Sequence, residues 1–277
     1  HYHLEDVVGS LKRKGMYPAY LSSPTRKFMD LELEGNEALP EIIPTEIISA
    51  MIKNIHENKP DGSILCFLPG WEEITAVKTE LEKLFSKSRS GSSYQIYCVH
   101  SSAPPEVTQS IFLKTEGCRK VILATNIAES SITIPDVAYV VDSGKQKINL
   151  YNPALRMNSL KTTWISKSNS IQRLGRVGRT QPGEYYLMCS RNRRLNLTLP
   201  PEILRIGLEE VCLSIKGLGF QGKCRDIVNE LLDEPNKVAL RDAVKRLVQL
   251  DALEPESENI TELGKVLSSI PLNPSNF

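Results

Sequence analysis

The sequence predicts an α/β fold, a parallel sheet with helices on both faces, followed by a smaller α-rich part. Three observations carry this. Short apolar runs recur between residues 63 and 141, each closed by turn or polar residues. Stretches with helical spacing of apolar residues lie between them, and strand–helix alternation at this period builds a parallel sheet. Beyond Pro200-Pro201 the strand-like runs stop and helical spacing dominates.

Taken in order, residues 1–40 are poorly patterned, interrupted by Pro18, Pro24 and Pro40, and carry an acidic run from Asp30 to Glu41. They read as a peripheral lead-in. Pro44-Thr45-Glu46 then opens a helix whose apolar side is Ile47, Ile48, Met51, Ile52 and Ile55. After the turn Lys59-Pro60-Asp61-Gly62, the run Ser63 to Leu68 suits a strand buried on both faces. Trp71 to Phe85 reads as an amphipathic helix, Tyr94 to Val99 as a strand and Pro105 to Lys114 as a helix. Lys120 to Ala124 and Ala138 to Val141 are further strands. Ligands in such sheets collect at the carboxyl ends of strands, which directs attention to the loops after Leu68, Val99, Thr125 and Val141.

From Gln146 to Ile165 the pattern shortens to polar–apolar alternation around Asn152-Pro153, as expected of a projecting hairpin, and Glu184 to Cys189 is a last strand. Ile203, Leu204, Ile206, Leu208 and Val211 form one apolar helical set, and Val238 to Leu250 another. Leu253 and Ile260 flank a polar turn of the kind that forms the wing of a winged helix.

Composition narrows the class. With 40% hydrophobic and 24% charged residues the chain is an ordinary globular sequence, which excludes disorder. The net charge of +1 conceals an uneven distribution: residues 161–225 carry a surplus of eight positive charges, and residues 226–277 a surplus of five negative ones. A basic stretch attracts phosphate, or is simply a solvated face. The six cysteines show no C-x-x-C pair and the four histidines no metal-ligand spacing, which points to reduced thiols inside the cell, cytoplasmic or nuclear, and to no metal site. No apolar run approaches a membrane span. The opening residues are not a signal peptide and look like a chain entered part-way.

Two segments carry the chemistry. In Gln172-Arg-Leu-Gly-Arg176-Val-Gly-Arg179, arginines three residues apart would share one helical face and reach one anion with both guanidinium forks. Gln172, one turn earlier, could order a water or bond a phosphate oxygen. The bland alternative is a basic helix with glycine kinks. The second segment, Ala124 to Ile134, follows a buried strand and is dense in small hydroxyl and amide groups. Such groups hold phosphates without reading base sequence, or form a Ser/Thr-rich turn that caps a helix.

These segments resemble motifs V and VI of the DEAH/RNA helicase A family of superfamily 2 RNA helicases. Cys66 to Ile74, with its Pro-Gly-Trp, resembles motif IV in the form of the RNA helicase A branch, and His100 to Gln109 resembles motif IVa. Val141-Asp-Ser-Gly144 and Trp164 to Arg173 match the family's connecting segments in order. The resemblance implies a second RecA-like domain over residues 1–195, a winged helix over 196–257 and the truncated start of a helical ratchet domain over 258–277. It implies that Arg176 and Arg179 are arginine fingers on the γ-phosphate of ATP, with Gln172 beside them. Phe112 would stack on the adenine, or be a core aromatic, and Thr133 and Asp136 would approach the nucleotide. Gly70, His100, Thr125, Asn126 and Ser130 would follow the RNA backbone, although a histidine such as His100 is more often structural.

Four positions depart from the family pattern: Ser130 stands for threonine, Val177 for alanine, Pro135 for an Asp or Asn near the nucleotide, and Asp251 for a glycine of the winged helix. The chain has no G-x-x-x-x-G-K-[ST] sequence and no D-E-A-H. The phosphate-cradling loop and the Mg²⁺ ligands are therefore expected on the preceding RecA-like domain, and this chain alone should not turn over ATP. The implied whole is an ATP-dependent 3′-to-5′ RNA helicase acting mainly on single-stranded RNA. An RNA-binding scaffold without ATPase activity and a DNA helicase of the same superfamily are the alternatives.

Overall fold

Val, Ile, Leu and Cys dominate residues 63–67, 118–124 and 137–142, and all three runs are strands buried almost throughout. A computed structural model describes residues 1–36, 38–86, 93–100, 109–113, 117–130, 134–152, 157–179 and 181–269. The chain divides into two compact units, residues 1–147 with 162–199, and residues 148–161 with 200–277.

In the first unit, β1 (Ser63–Phe67), β2 (Ser93–Val99), β3 (Cys118–Ala124), β4 (Val137–Asp142) and β7 (Glu184–Leu187) form one sheet in the order β2-β3-β1-β4-β7. Every pairing is parallel, with Cys66 opposite Leu123 on one side and Val141 on the other. Successive side chains point to opposite faces, so Ile64, Cys66 and Leu68 enter one core and Leu65 and Phe67 the other. The first face is covered by α1 (Leu4–Arg13), α2 (Ser23–Leu33), α3 (Thr45–Asn58) and α4 (Trp71–Ser86). The second carries the short α5 (Ile127–Ser130) and α6 (Lys167–Leu174).

Residues 1–40 are not the peripheral lead-in that their weak pattern suggests. Leu4, Val7, Val8 and Leu11 of α1 and Phe28 and Met29 of α2 are core residues, and Tyr2 pairs with Tyr186 at the edge of the sheet. Pro24 does not break α2, because it sits in the first turn, where no intrahelical N–H bond is lost. Glu32 of the acidic run is buried, and it accepts both arms of the Arg193 guanidinium at 2.6 Å.

The expected hairpin is present as β5 (Lys145–Asn152) and β6 (Met157–Trp164), which pair with each other. A four-residue connection is too short for a parallel crossover, so the strands run antiparallel. At the root, the Lys145 ammonium is fully buried. It lies 3.8 Å from the Trp164 ring centre and donates to the carbonyls of Leu39, Pro40 and Ile42. The Arg193 guanidinium lies 4.0 Å from the same ring. The helix expected over Pro105 to Lys114 lies mostly outside the described residues; of those described, 109–110 are helical and 111–113 form a turn and bend.

The second unit has its own core, made by Leu208, Cys212 and Leu213 with Val228, Leu240, Ala243, Leu247, Leu253 and Leu267. Its helices are α7 (Glu209–Gly217), α8 (Cys224–Val228), α9 (Lys237–Gln249) and α10 (Glu262–Ser269). The helical set expected from Ile203 is divided into a 3₁₀ turn, Glu202–Leu204, and α7. Leu253 and Ile260 form an antiparallel bridge, as a wing requires. Gly264 is needed there, because a β-carbon would overlap the Ala252 carbonyl. Asp251, where the family pattern suggested a glycine, has φ of 56°, a left-handed conformation that glycine favours and that Asp adopts more readily than most residues. All six cysteines are free.

Candidate functional site

Because the five strands are parallel, their carboxyl ends share one edge of the sheet. Across it lie His100 after β2, Thr125 after β3 and Gly70 after β1, in that order. The Thr125 N–H donates to the Val99 carbonyl at 3.2 Å, which ties two of these loops together. Asn126 and Ser130 are exposed on the same loop, at either end of α5. His100 meets Trp71 edge-on, with ring centres 6.1 Å apart, and Trp71 is half exposed. Gly70 is buried beneath an ion pair between Lys147 and Glu73 (3.1 Å), and a β-carbon there would meet the Lys147 ammonium at 2.6 Å. The edge thus brings together Gly70, His100, Thr125, Asn126 and Ser130, the five residues expected to follow a nucleic-acid backbone.

The arginine segment is arranged differently from the single helical face expected. α6 is opened by a capping box between Ser166 and Asn169 and stops at Leu174, with Gly175 as its cap. Residues 175–179 are turns and bends, and Gly178 has φ of 76°. Glycine allows this reversal, and the helix cannot continue through it. Arg176 and Arg179 therefore leave a turn. Burial first, and then the charge of Arg179, push the Arg176 guanidinium below its usual value. Arg176 donates to the Glu129 carbonyl, and Arg179 Nε to the Gly175 carbonyl at 2.9 Å. Gln172 is exposed on the last turn of α6.

Phe112 and Asp136 gather elsewhere, around Lys120. The buried Lys120 ammonium donates to the carbonyls of Ile111 (2.9 Å) and Leu113 (3.1 Å) and pairs with Asp136 Oδ2 at 2.9 Å. Phe112, between those carbonyls, is 43% exposed, so it is not a core aromatic. Asp136 lies at the amino end of β4, where Oδ2 also accepts from the Ser63 hydroxyl (2.7 Å). Its Oδ1 is buried and receives no hydrogen bond among the described residues. Gln181, just past the arginine turn, donates to the Asp136 carbonyl at 3.4 Å. Thr133 lies outside the described residues.

Sequence reasoning missed the charged groups that hold these segments. Arg173 is fully buried; it donates to Glu129 (2.9 Å) and Asp142 (2.8 Å) and lies against the Phe67 ring. Burial alone would lower its pKa, but Asp142 and then Glu129 outweigh that and hold the guanidinium above its usual range. Two carboxylates more than thirty residues away carry no local signal for such a site. Among the described residues no group of three His, Cys, Asp or Glu could hold a metal ion, and no helix is long and apolar enough to cross a membrane.

Comparison with known proteins identifies the family. Residues 46–181 match the helicase conserved C-terminal domain, and residues 243–272 the winged-helix helicase-associated domain HA2. The DExH-box ATP-dependent RNA helicase DExH2 of Arabidopsis thaliana is 39% identical over 240 residues, 85% of this chain and 15% of that protein. The human ATP-dependent DNA/RNA helicase DHX36 is 35% identical over 267 residues, 94% of this chain and 26% of that protein. The crystal structure of the Escherichia coli DEAH/RHA helicase HrpB superimposes with a TM-score of 0.70 at 29% identity, covering 81% of this chain and 28% of that one. This chain thus spans only about a quarter or less of these two relatives' length. It belongs to the DEAH/RHA helicase family, with the helicase C-terminal domain followed by the HA2 winged helix.

Proposed function

We propose that this chain is the arginine-bearing half of an ATP-dependent RNA helicase or translocase that moves 3′ to 5′ and couples ATP hydrolysis to unwinding of RNA or remodelling of its complexes. The observation that supports it most is the turn carrying Arg176 and Arg179, which Arg176 anchors by donating to the Glu129 carbonyl on the loop that carries Asn126 and Ser130. Two guanidinium groups on one turn suit a polyanion, which offers several oxygens to their forks.

The residues present fit a nucleotide. Phe112 offers an exposed aromatic face for a base, and Asp136 stands in the same cluster around Lys120. Arg176 and Arg179 stabilise the charge that develops on the transferred phosphoryl group, and Gln172 is placed to orient water. The Mg²⁺ ligands and the phosphate loop come from a preceding RecA-like domain, since this sequence has neither motif. The carboxyl edge, from His100 to Gly70, follows RNA through phosphate contacts and so with little base preference. Opening and closing of the cleft between the two RecA-like domains would then advance the strand. This reading takes the helicase domain over 1–195 and the winged helix from 196, with a ratchet domain set to begin at 258, although the winged-helix family match runs to residue 272.

The test is RNA-stimulated ATP hydrolysis by the full-length protein and its Arg179→Ala variant. Loss of about 10³-fold in kcat is expected of an arginine finger. A rate unchanged within about twofold would remove that role. RNA binding without any hydrolysis by the unaltered protein would favour a scaffold, and stronger stimulation by DNA than by RNA would change the substrate.

A further inference from the structure

One residue pair outside the proposed contacts joins the two groups of residues described above. Glu129, at the end of the loop after β3, is only 6% exposed. Three side chains of the α6 segment converge on it: Asn169 Nδ2 donates to its Oε1 (2.6 Å), Arg173 Nε to its Oε2 (2.9 Å) and Arg176 to its carbonyl. Arg173 continues the chain of contacts, with Nη1 donating to Asp142 Oδ1 (2.8 Å) at the carboxyl end of β4. The same Asp142 oxygen accepts the Gly144 N–H (2.8 Å), which starts the turn into the hairpin. Its other oxygen accepts the Tyr185 hydroxyl at 2.6 Å.

We infer that Arg173 and Glu129 are positioning residues that lock the arginine-bearing turn to the nucleic-acid edge, so that the two shift as one body. Asn126 and Ser130 share a loop with Glu129, so the groups facing the nucleic acid and the turn carrying Arg176 are tied at one residue. A planar guanidinium can bridge two carboxylates at once, whereas an ammonium is a point donor on a flexible stem. Burial makes the tie stiff, because a displaced Arg173 would leave two carboxylates without their cation in an apolar core. A rigid connection of this kind transmits displacement, where a solvated pair would let the two segments drift apart.

The inference rests on the helicase reading, and its test uses the same full-length protein. Arg173→Lys keeps the charge and loses the bridge, and Glu129→Gln keeps the shape and turns one acceptor into a donor facing a donor. Both should lower RNA-stimulated kcat by about tenfold or more while KM for ATP stays within about threefold, the pattern of a lost alignment and not of lost binding. Tyr185→Phe is the matched control. It removes the buried hydroxyl that bonds Asp142 and, on α6, Ser170, but leaves every contact of Glu129 and Arg173 in place, so it should lower the melting temperature and leave kcat within about twofold. Equal losses of kcat in all three variants, or unchanged kcat in Arg173→Lys and Glu129→Gln, would overturn the inference and leave the helicase reading intact. An unaltered protein that hydrolyses no ATP would remove both.

Discussion

Asp251 and Gly70 show how single positions register different constraints. Asp251 occupies a left-handed conformation just before the wing, which costs a residue with a β-carbon roughly 1 kcal/mol. Asp251→Gly should therefore raise stability by about 0.5–1 kcal/mol, read as a rise in melting temperature, while Asp251→Val should lower it by about 1–2 kcal/mol. Gly70 differs because the atoms a β-carbon would meet, Lys147 Nζ and Glu73 Oε2, are the free ends of flexible side chains. Gly70→Ala should change stability by no more than about 0.5 kcal/mol. If the carboxyl edge holds RNA, the displaced Lys147 should still weaken affinity for single-stranded RNA, measurable by fluorescence anisotropy. Arg176 and Arg179 stood out because arginines at fixed spacing are a local signal, whereas Gly70 stood out only through the resemblance of Cys66 to Ile74 to motif IV. Arg173 and Glu129 were not legible as a pair, since buried charges are matched across the fold and nothing local marks their partner.

At the scale of elements, the strands were legible because continuous apolar runs leave few alternatives, and the observed limits differ from those expected by only a few residues. α1 and α2 were not, because Pro24 and the acidic run resemble loop composition until Glu32 finds Arg193. α6 was expected to run on through Arg179, and Gly175 and Gly178 stop it. The hairpin root leads to a prediction about pH. Burial pushes the Lys145 ammonium down to about 7, against the pull of Glu32. A folded lysine depressed in this way binds its proton less readily than the unfolded chain, so stability rises with pH above about 7. Cys66 and Cys189 oppose this from about pH 8.5, because burial holds their thiols protonated while the unfolded thiols ionise. Chemical denaturation should show stability increasing by about 1–2 kcal/mol between pH 7 and 8.5 and then levelling. Lys145→Met should abolish the rise.

At the scale of the whole molecule, the two units have separate cores, and only the winged-helix unit contains Gly264. Gly264→Ala forces a β-carbon onto a backbone carbonyl and should destabilise that unit by about 1–3 kcal/mol. Hydrogen exchange should quicken over α7, α9 and α10 and stay unchanged in β1, β3 and β4. Quickening in the sheet as well would show that the two units unfold together.

Residues 1–277 contain two tryptophans, and their surroundings make this chain its own optical reporter. Trp164 has a cation within about 4 Å of its ring centre on each of two partners, Lys145 and Arg193, and Phe28 stacked nearby. Trp71 stands half exposed beside His100 at the sheet edge. Acrylamide should quench the half-exposed Trp71 more than the partly buried Trp164, so the emission separates into a more and a less accessible component. Covering the edge with an oligonucleotide would shield only the first, and loosening the hairpin root would release only the second. A single fluorescence titration can therefore tell occupancy of the edge from movement of the hairpin, with no label attached.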